Sequence, residues 1–136
     1  MENPLHREIL EEHARSPNHQ SSLEQSDRQS AWTSPKTGNV CSVAIFAGDG
    51  RIDGIQAKVE GSALAVACSS LMGCAVKGIP VEEALALAKS VIEFLENGKE
   101  VSLPGDLVVY ESIVRFPERH DCALLAWRAL LLALNS

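Results

Sequence analysis

Near the end of the chain, the stretch "RFPERHDCALLAW" places His120, Asp121 and Cys122 side by side just ahead of an apolar run. Imidazole, carboxylate and thiol are the groups that bind soft or borderline metals or move protons. Adjacency argues against a shared site, because consecutive residues on a helix point about 100° apart. Cys122 is the strongest chemical candidate of the three, since a thiol near a helix N-terminus can be activated. Asp121 in a first helical turn is favourable electrostatics on its own, and with His120 it stays a flanking candidate. The other cysteines, Cys41, Cys68 and Cys74, fall in apolar stretches and are expected to be buried small hydrophobes. His13 and His19 have no partner in the sequence pattern and are expected to be solvated. The acidic helix face of Glu82, Glu83, Glu93 and Glu96 is expected to be a solvated surface.

The elements that must position these groups are legible from pattern. Pro4 to Arg15 has the spacing of an amphipathic helix, with Leu5, Ile9 and Leu10 on one face and Ser16-Pro17-Asn18 as its stop. "HQSSLEQSDRQSAWTSPKTGN" is polar and turn-rich, with Leu23, Ala31 and Trp32 as apolar anchors and room for one short strand near Trp32. Val40 to Ala47 alternates, with Cys41, Val43, Ile45 and Ala47 on one face. Asp49-Gly50 supplies a tight turn, and Ile52 to Val59 returns with Ile55, Ala57 and Val59 inward. From Ser62 the period changes to that of a helix, almost free of charge and rich in small residues, stopped at Gly78. Pro80 opens the next helix, whose stripe is Leu85, Ala88, Ile92 and Leu95 and whose end is Asn97-Gly98. Asp106 is placed to cap a short helix from Leu107 to Arg115. Pro117 opens a last helix to about Leu134, apolar along Leu124, Leu125, Trp127, Leu131 and Leu132. The order predicts an α+β fold, a small three-stranded antiparallel sheet with helices packed on one side.

Bulk properties narrow the function. The chain has 136 residues, 46% of them hydrophobic, only 4% aromatic, and a formal charge of −6. That length suits one domain over residues 1–136 with an aliphatic core. The negative charge argues against a nucleic-acid footprint and against attraction to anionic membranes. No apolar run reaches the roughly 18 residues of a spanning helix. The N-terminal stretch carries Glu and Arg where a signal peptide is apolar, so a cytoplasmic protein with free thiols is expected.

Several segments, taken in order, resemble the iron–sulfur cluster assembly scaffold family of the IscU, SufU and NifU N-terminal type, nearest to its SufU branch. They are "REILEEHARSPNH", "GDGRIDGIQAKVEG", "ACSSLMGCAVKGIPVEEALALAKSVIEFL", "GDL" and "FPERHDCALLAW". The resemblance implies that family's fold and a site of three cysteines and an aspartate that holds an iron–sulfur cluster or zinc. It places the first cysteine in a Pro-x-Cys-Gly-Asp loop, which here is "SPKTGN", with Thr37 at the cysteine position and Asn39 at the aspartate position. It places the second directly after the glycine that ends the hairpin, where Ser62 follows Gly61, and the third at Cys122. Hydroxyl and amide groups are poor ligands for soft metals, so one thiolate is left where three are needed. With Thr37 at the first position, the persulfide relay that the resemblance implies is expected to be lost as well. Cys41 and Cys68 do not make up the loss. Cys41 lies roughly 13 Å along the strand from Thr37, and Cys68 roughly 9 Å along the helix from Ser62.

The resemblance therefore implies a scaffold-like protein with a degenerate ligand set, an adaptor or regulator and not an enzyme, whose partner is a cysteine desulfurase or another assembly protein. A working sulfur acceptor or metal handler is the alternative. It would use Cys122 with ligands from His120, Asp121 or a partner chain, or pair two Cys122 thiols in an oligomer.

Overall fold

A computed structural model of the protein describes residues 3–19 and 28–135. Helix α1 (Pro4–Arg15) starts where the Asn3 side chain accepts the Leu5 and His6 amides, and Pro4 stands at its first position. Three strands follow, β1 (Arg28–Thr33), β2 (Val40–Gly48) and β3 (Arg51–Glu60), paired antiparallel in the order β1-β2-β3. Then come α2 (Ala63–Val76), α3 (Val81–Asn97), a 3₁₀ turn (Gly105–Val109), α4 (Tyr110–Ile113), a second 3₁₀ turn (Pro117–Arg119) and α5 (His120–Leu134). The expected anchor Leu23 lies outside the described residues.

Asp49 and Gly50 both adopt positive φ, 51° and 76°, as a two-residue hairpin turn between strands of native twist requires. One extra residue is accommodated beside that turn. Phe46 faces Gly54 while Ala47 faces Ile52, so the register shifts at Asp53. The bulge corrects the expected return strand. Simple alternation puts Ile52 on the face opposite Ile55 and Ala57, but the shift brings it back, and all three are buried. Asp53 is left outside, against Gly48.

The core lies between the sheet and the helices. Helix α5 packs on β1 and β2, and α2 packs on β3, α1 and α5. Small side chains let α2 sit deep, with Ala65, Ala67, Cys68, Ser69, Ser70 and Gly73 all buried. The turn after α2 is stitched to the hairpin by Gly78 N–H to Ile52 O at 2.7 Å and Ile52 N–H to Ile79 O at 2.9 Å. Helix α3 ends at Gly98 in the left-handed region, as Asn97-Gly98 predicts.

Other expectations change too. The stretch expected as one helix from Leu107 to Arg115 is a 3₁₀ turn followed by the short α4, and Asp106 makes no side-chain cap. The last helix begins at His120, after a 3₁₀ turn at Pro117–Arg119. Leu132, expected inward, is exposed, because Ala129, Leu130 and Ala133 take the buried side of the last turns. Cys74 is exposed while Cys41 and Cys68 are fully buried.

Candidate functional site

The residues singled out by the sequence converge at one corner of the fold. Strand β1 ends at Thr33, and the loop to β2 carries Ser34, Thr37 and Asn39. The junction of β3 and α2 supplies Gly61 and Ser62, and the start of α5 supplies His120, Asp121 and Cys122. The loop closes on itself, with Ser34 N–H donating to Asn39 O at 2.8 Å and Gly38 N–H to Ser34 O at 2.9 Å. Gly38 takes φ of 79°, which makes the loop this tight.

Thr37 and Asn39 both reach the first turn of α5. The Thr37 hydroxyl donates to Asp121 Oδ2 at 3.4 Å and accepts the Asn39 amide at 3.2 Å. The Asn39 side chain points its Nδ2 at Cys122 Sγ, 3.9 Å away. It is seated on Gly61, where an added β-carbon would stand 2.8 Å from Asn39 Cγ. Ser62 lies beside that seat, but its hydroxyl accepts the Ala65 amide at 3.2 Å and serves as the N-cap of α2. Cys122 is half-buried and packs against the core.

His120, Asp121 and Cys122 part company, as the helical angle between them requires. Asp121 faces the loop, whereas the His120 Nε2 hydrogen-bonds with the Val114 carbonyl at 2.9 Å. His120 and Asp121 both line an open cavity of about 530 Å³ together with Trp32, Lys36, Leu124 and Arg128. Arg128 stacks 5.5 Å over the Trp32 ring and pairs with Glu96. Glu96 is exposed as expected, and it is also an ion-pair partner at the cavity wall.

One member of the site was missed. Ser34, only 1% exposed, donates its hydroxyl to Asp121 Oδ2 at 2.6 Å and accepts the Lys36 and Thr37 amides at 3.1 and 3.3 Å. A serine ahead of Pro35 signals a turn in the sequence, but nothing there ties it to a carboxylate 87 positions away.

The remaining cysteines are removed from this chemistry. Burial pushes the Cys68 thiol up to about 12, opposed by the Tyr110 hydroxyl and reinforced by neighbouring Cys122. Burial pushes Cys41 up to about 12 as well, opposed by a Ser69 hydrogen bond. Cys74 is raised by partial burial and by Asp106, with which it lines a second cavity of about 420 Å³ that also holds His13. Neither histidine expected to be solvated is free. His13 Nδ1 hydrogen-bonds with Ser70 Oγ at 2.7 Å, and the His19 ring packs against Gly73. Burial lowers the His19 pKa, with Lys77 adding to the effect.

The donor set of the corner does not fit an iron–sulfur cluster or a structural zinc. Those centres take three or four thiolate or imidazole ligands. Here one thiol stands with one carboxylate, hydroxyls and an amide, the carboxylate and hydroxyls already engaged with protein groups and the His120 ring turned to the Val114 carbonyl. Among the described residues no three His, Cys, Asp or Glu side chains are grouped to hold a metal ion, and no helix is long and apolar enough to cross a membrane.

A three-stranded antiparallel sheet with helices packed on it is a fold that the protein shares with solved NifU-like and SufU scaffold structures. Residues 5–136 match the family described as the NifU-like N terminal domain, and the chain belongs to that family. It is 30% identical over 131 residues to the iron–sulfur cluster assembly scaffold protein IscU of Streptococcus pyogenes serotype M1, covering 94% of this chain and 81% of that protein. It is 27% identical over 130 residues to the zinc-dependent sulfurtransferase SufU of Bacillus subtilis strain 168, covering 93% and 86%. The crystal structure of a NifU-like protein (N-terminal) from Brucella abortus superposes with a TM-score of 0.84, covering 93% of this chain and 90% of that one. At 22% identity that likeness speaks for the fold.

Proposed function

We propose that this protein is an adaptor or regulator of iron–sulfur cluster assembly. It keeps the family's fold and a surface for an assembly factor such as a cysteine desulfurase, and carries neither cluster nor zinc itself. The observation that supports this most directly is what the corner's side chains do instead of ligating. Thr37 donates to Asp121, Ser62 caps α2, and Asn39 lies on Gly61 with its amide toward the single thiol. A threonine or serine hydroxyl stays protonated at neutral pH and an amide brings no charge, so neither replaces a thiolate toward a soft metal. The scaffold and sulfurtransferase activities in the names of its relatives belong to those proteins.

A second reading has one observation in its favour. Cys122 is half-buried, not sealed in, and an amide N–H donor stands at its sulfur. In that reading Cys122 is a working sulfur acceptor or metal ligand completed by a partner chain.

Anaerobic purification with iron and sulfide separates the two. Bound iron, zinc and visible absorbance are measured for the wild type and for Cys122→Ser, together with binding to a cysteine desulfurase from the same cells. Colourless, metal-free protein that binds the desulfurase is the expected result. Stoichiometric metal that disappears in Cys122→Ser overturns the adaptor reading, and absence of binding to any assembly factor removes its other half.

A further inference from the structure

We propose that the loop from Ser34 to Asn39 is a strap latched by Asp121, which holds the Asn39 side chain over the Cys122 thiol and closes this corner without a metal. The inference rests on the degenerate-site reading and adds a device to it. One carboxylate oxygen collects both hydroxyls of the strap, Ser34 at 2.6 Å and Thr37 at 3.4 Å. The Ser34 bond has the short length of a hydroxyl–carboxylate bond, a kind roughly twice as strong as a neutral one, whereas the Thr37 bond is long and weaker. The Ser34 hydroxyl is saturated, since its proton goes to Asp121 and its lone pairs take the Lys36 and Thr37 amides. Ser34 is also buried, and Asp121 is the acceptor that the structure gives its hydroxyl proton.

The latch sits where it controls the thiol. Asp121 belongs to the first turn of α5, whose N-terminus favours a negative charge, and Cys122 is the next residue. Thr37, held by Asp121, in turn receives the Asn39 amide at 3.2 Å, and Asn39 places its side chain between Gly61 and Cys122. Every polar group that fixes the strap is therefore met by another part of this chain. In a metal-closed corner the same loop would instead be tied down by a ligand side chain, and a chelator would release it.

The test is site-resolved alkylation of the native, chelator-treated protein with iodoacetamide, read by peptide mass spectrometry. Exposed Cys74, at the other end of α2, is the internal reference. Asp121→Ala and Ser34→Ala are expected to raise the Cys122 rate about tenfold or more relative to Cys74. Thr37→Val, which removes the longer bond to Asp121 and the hydroxyl that receives the Asn39 amide but keeps the Ser34 bond, should raise it less, and Asp121→Asn should fall between wild type and Asp121→Ala. Circular dichroism identifies any variant that fails to fold, and Thr37→Val then carries the comparison. Unchanged Cys122 rates in the folded variants overturn the latch. So does a wild-type Cys122 rate that rises several-fold on chelation, because a metal would then be holding the strap. Metal found in the reconstitution experiment sinks the adaptor reading alone, provided that the latch effect persists in chelated protein.

Discussion

Asn39 lies across Gly61 so closely that a β-carbon at position 61 would stand 2.8 Å from Asn39 Cγ and 3.0 Å from its Nδ2. The missing side chain at Gly61 is thus what lets the loop after β1 settle on the junction of β3 and α2. Gly61→Ala must push the Asn39 amide aside, and because that amide is the end of a short side chain the cost should be about 1 kcal/mol, the low end for overpacking. Asn39→Ala removes the two closest contacts, so the double variant should recover most of the loss. Urea denaturation of the two single variants and the double variant measures this. Strict additivity of the two effects would mean that the contact does not set the position of the loop.

Tyr110 and Trp127, both fully buried, form the polar center of the core, with the indole N–H donating to the phenolic oxygen at 2.7 Å and the rings edge to face. Burial, chiefly, holds the Tyr110 hydroxyl protonated, with the Cys68 thiol adding to the effect. Tyr110→Phe keeps the ring and leaves the Trp127 N–H without an acceptor, which should cost about 1–3 kcal/mol. Denaturant midpoints at constant m-value check it. A neutral result would require a buried water to take the place of the hydroxyl.

How much of this was legible in the sequence depends on the range of the interaction. The Asp49-Gly50 turn, the Asn97-Gly98 stop and the small-residue run of α2 are local signals, and each appears where the pattern puts it. The bulge at Asp53 was invisible, because alternation carries no mark for one extra residue. Thr37, Asn39 and Ser62 stand out by resemblance alone, since they lie on a loop and a helix cap, whereas Cys122 also stands out as a thiol at a helix start. Asp121 stands out in the sequence for its helix turn, but its role comes from Ser34, and no sequence rule pairs two residues 87 apart. His13 reads as solvated in the sequence for the same reason, as its partner Ser70 lies 57 positions on.

That pair carries a prediction of its own. Ser70 is fully buried on α2, and its hydroxyl meets His13 Nδ1 at 2.7 Å and the Asn18 amide N–H at 2.8 Å. It ties down both the end of α1 and the segment after it, which goes on to pair His19 O with the Ala57 amide of β3. Ser70→Ala removes the hydroxyl met by His13 Nδ1 and by the backbone and side-chain N–H groups of Asn18, and should cost about 2 kcal/mol. Hydrogen exchange should locate the loss. Amides of residues 8–19 are expected to lose protection while those of α5 change only with global stability, and uniform loss across the protein would refute the clamp.

The buried thiols set how stability responds to alkali. Burial pushes Cys41 and Cys68 from the ordinary 9.0 up to about 12. In the unfolded chain both thiols lose their protons near their ordinary value, while the folded protein keeps them. Above about pH 9 the folded state therefore binds more protons than the unfolded one, and stability falls as pH rises. The contribution is whole below pH 9 and declines toward pH 12 by at most about 1.4 kcal/mol per pH unit for each thiol. Tyr110, also held protonated by burial, adds to the decline at the alkaline end. Urea midpoints from pH 8 to 11 should fall steeply for the wild type and less steeply for the Cys41→Ala, Cys68→Ala double variant. The Cys68 thiol helps to hold Tyr110 protonated, so its removal trims the Tyr110 share as well, and the Cys41→Ala single variant isolates one thiol. Parallel slopes would mean that neither thiol is held protonated by the fold, and that alkaline unfolding has its origin elsewhere.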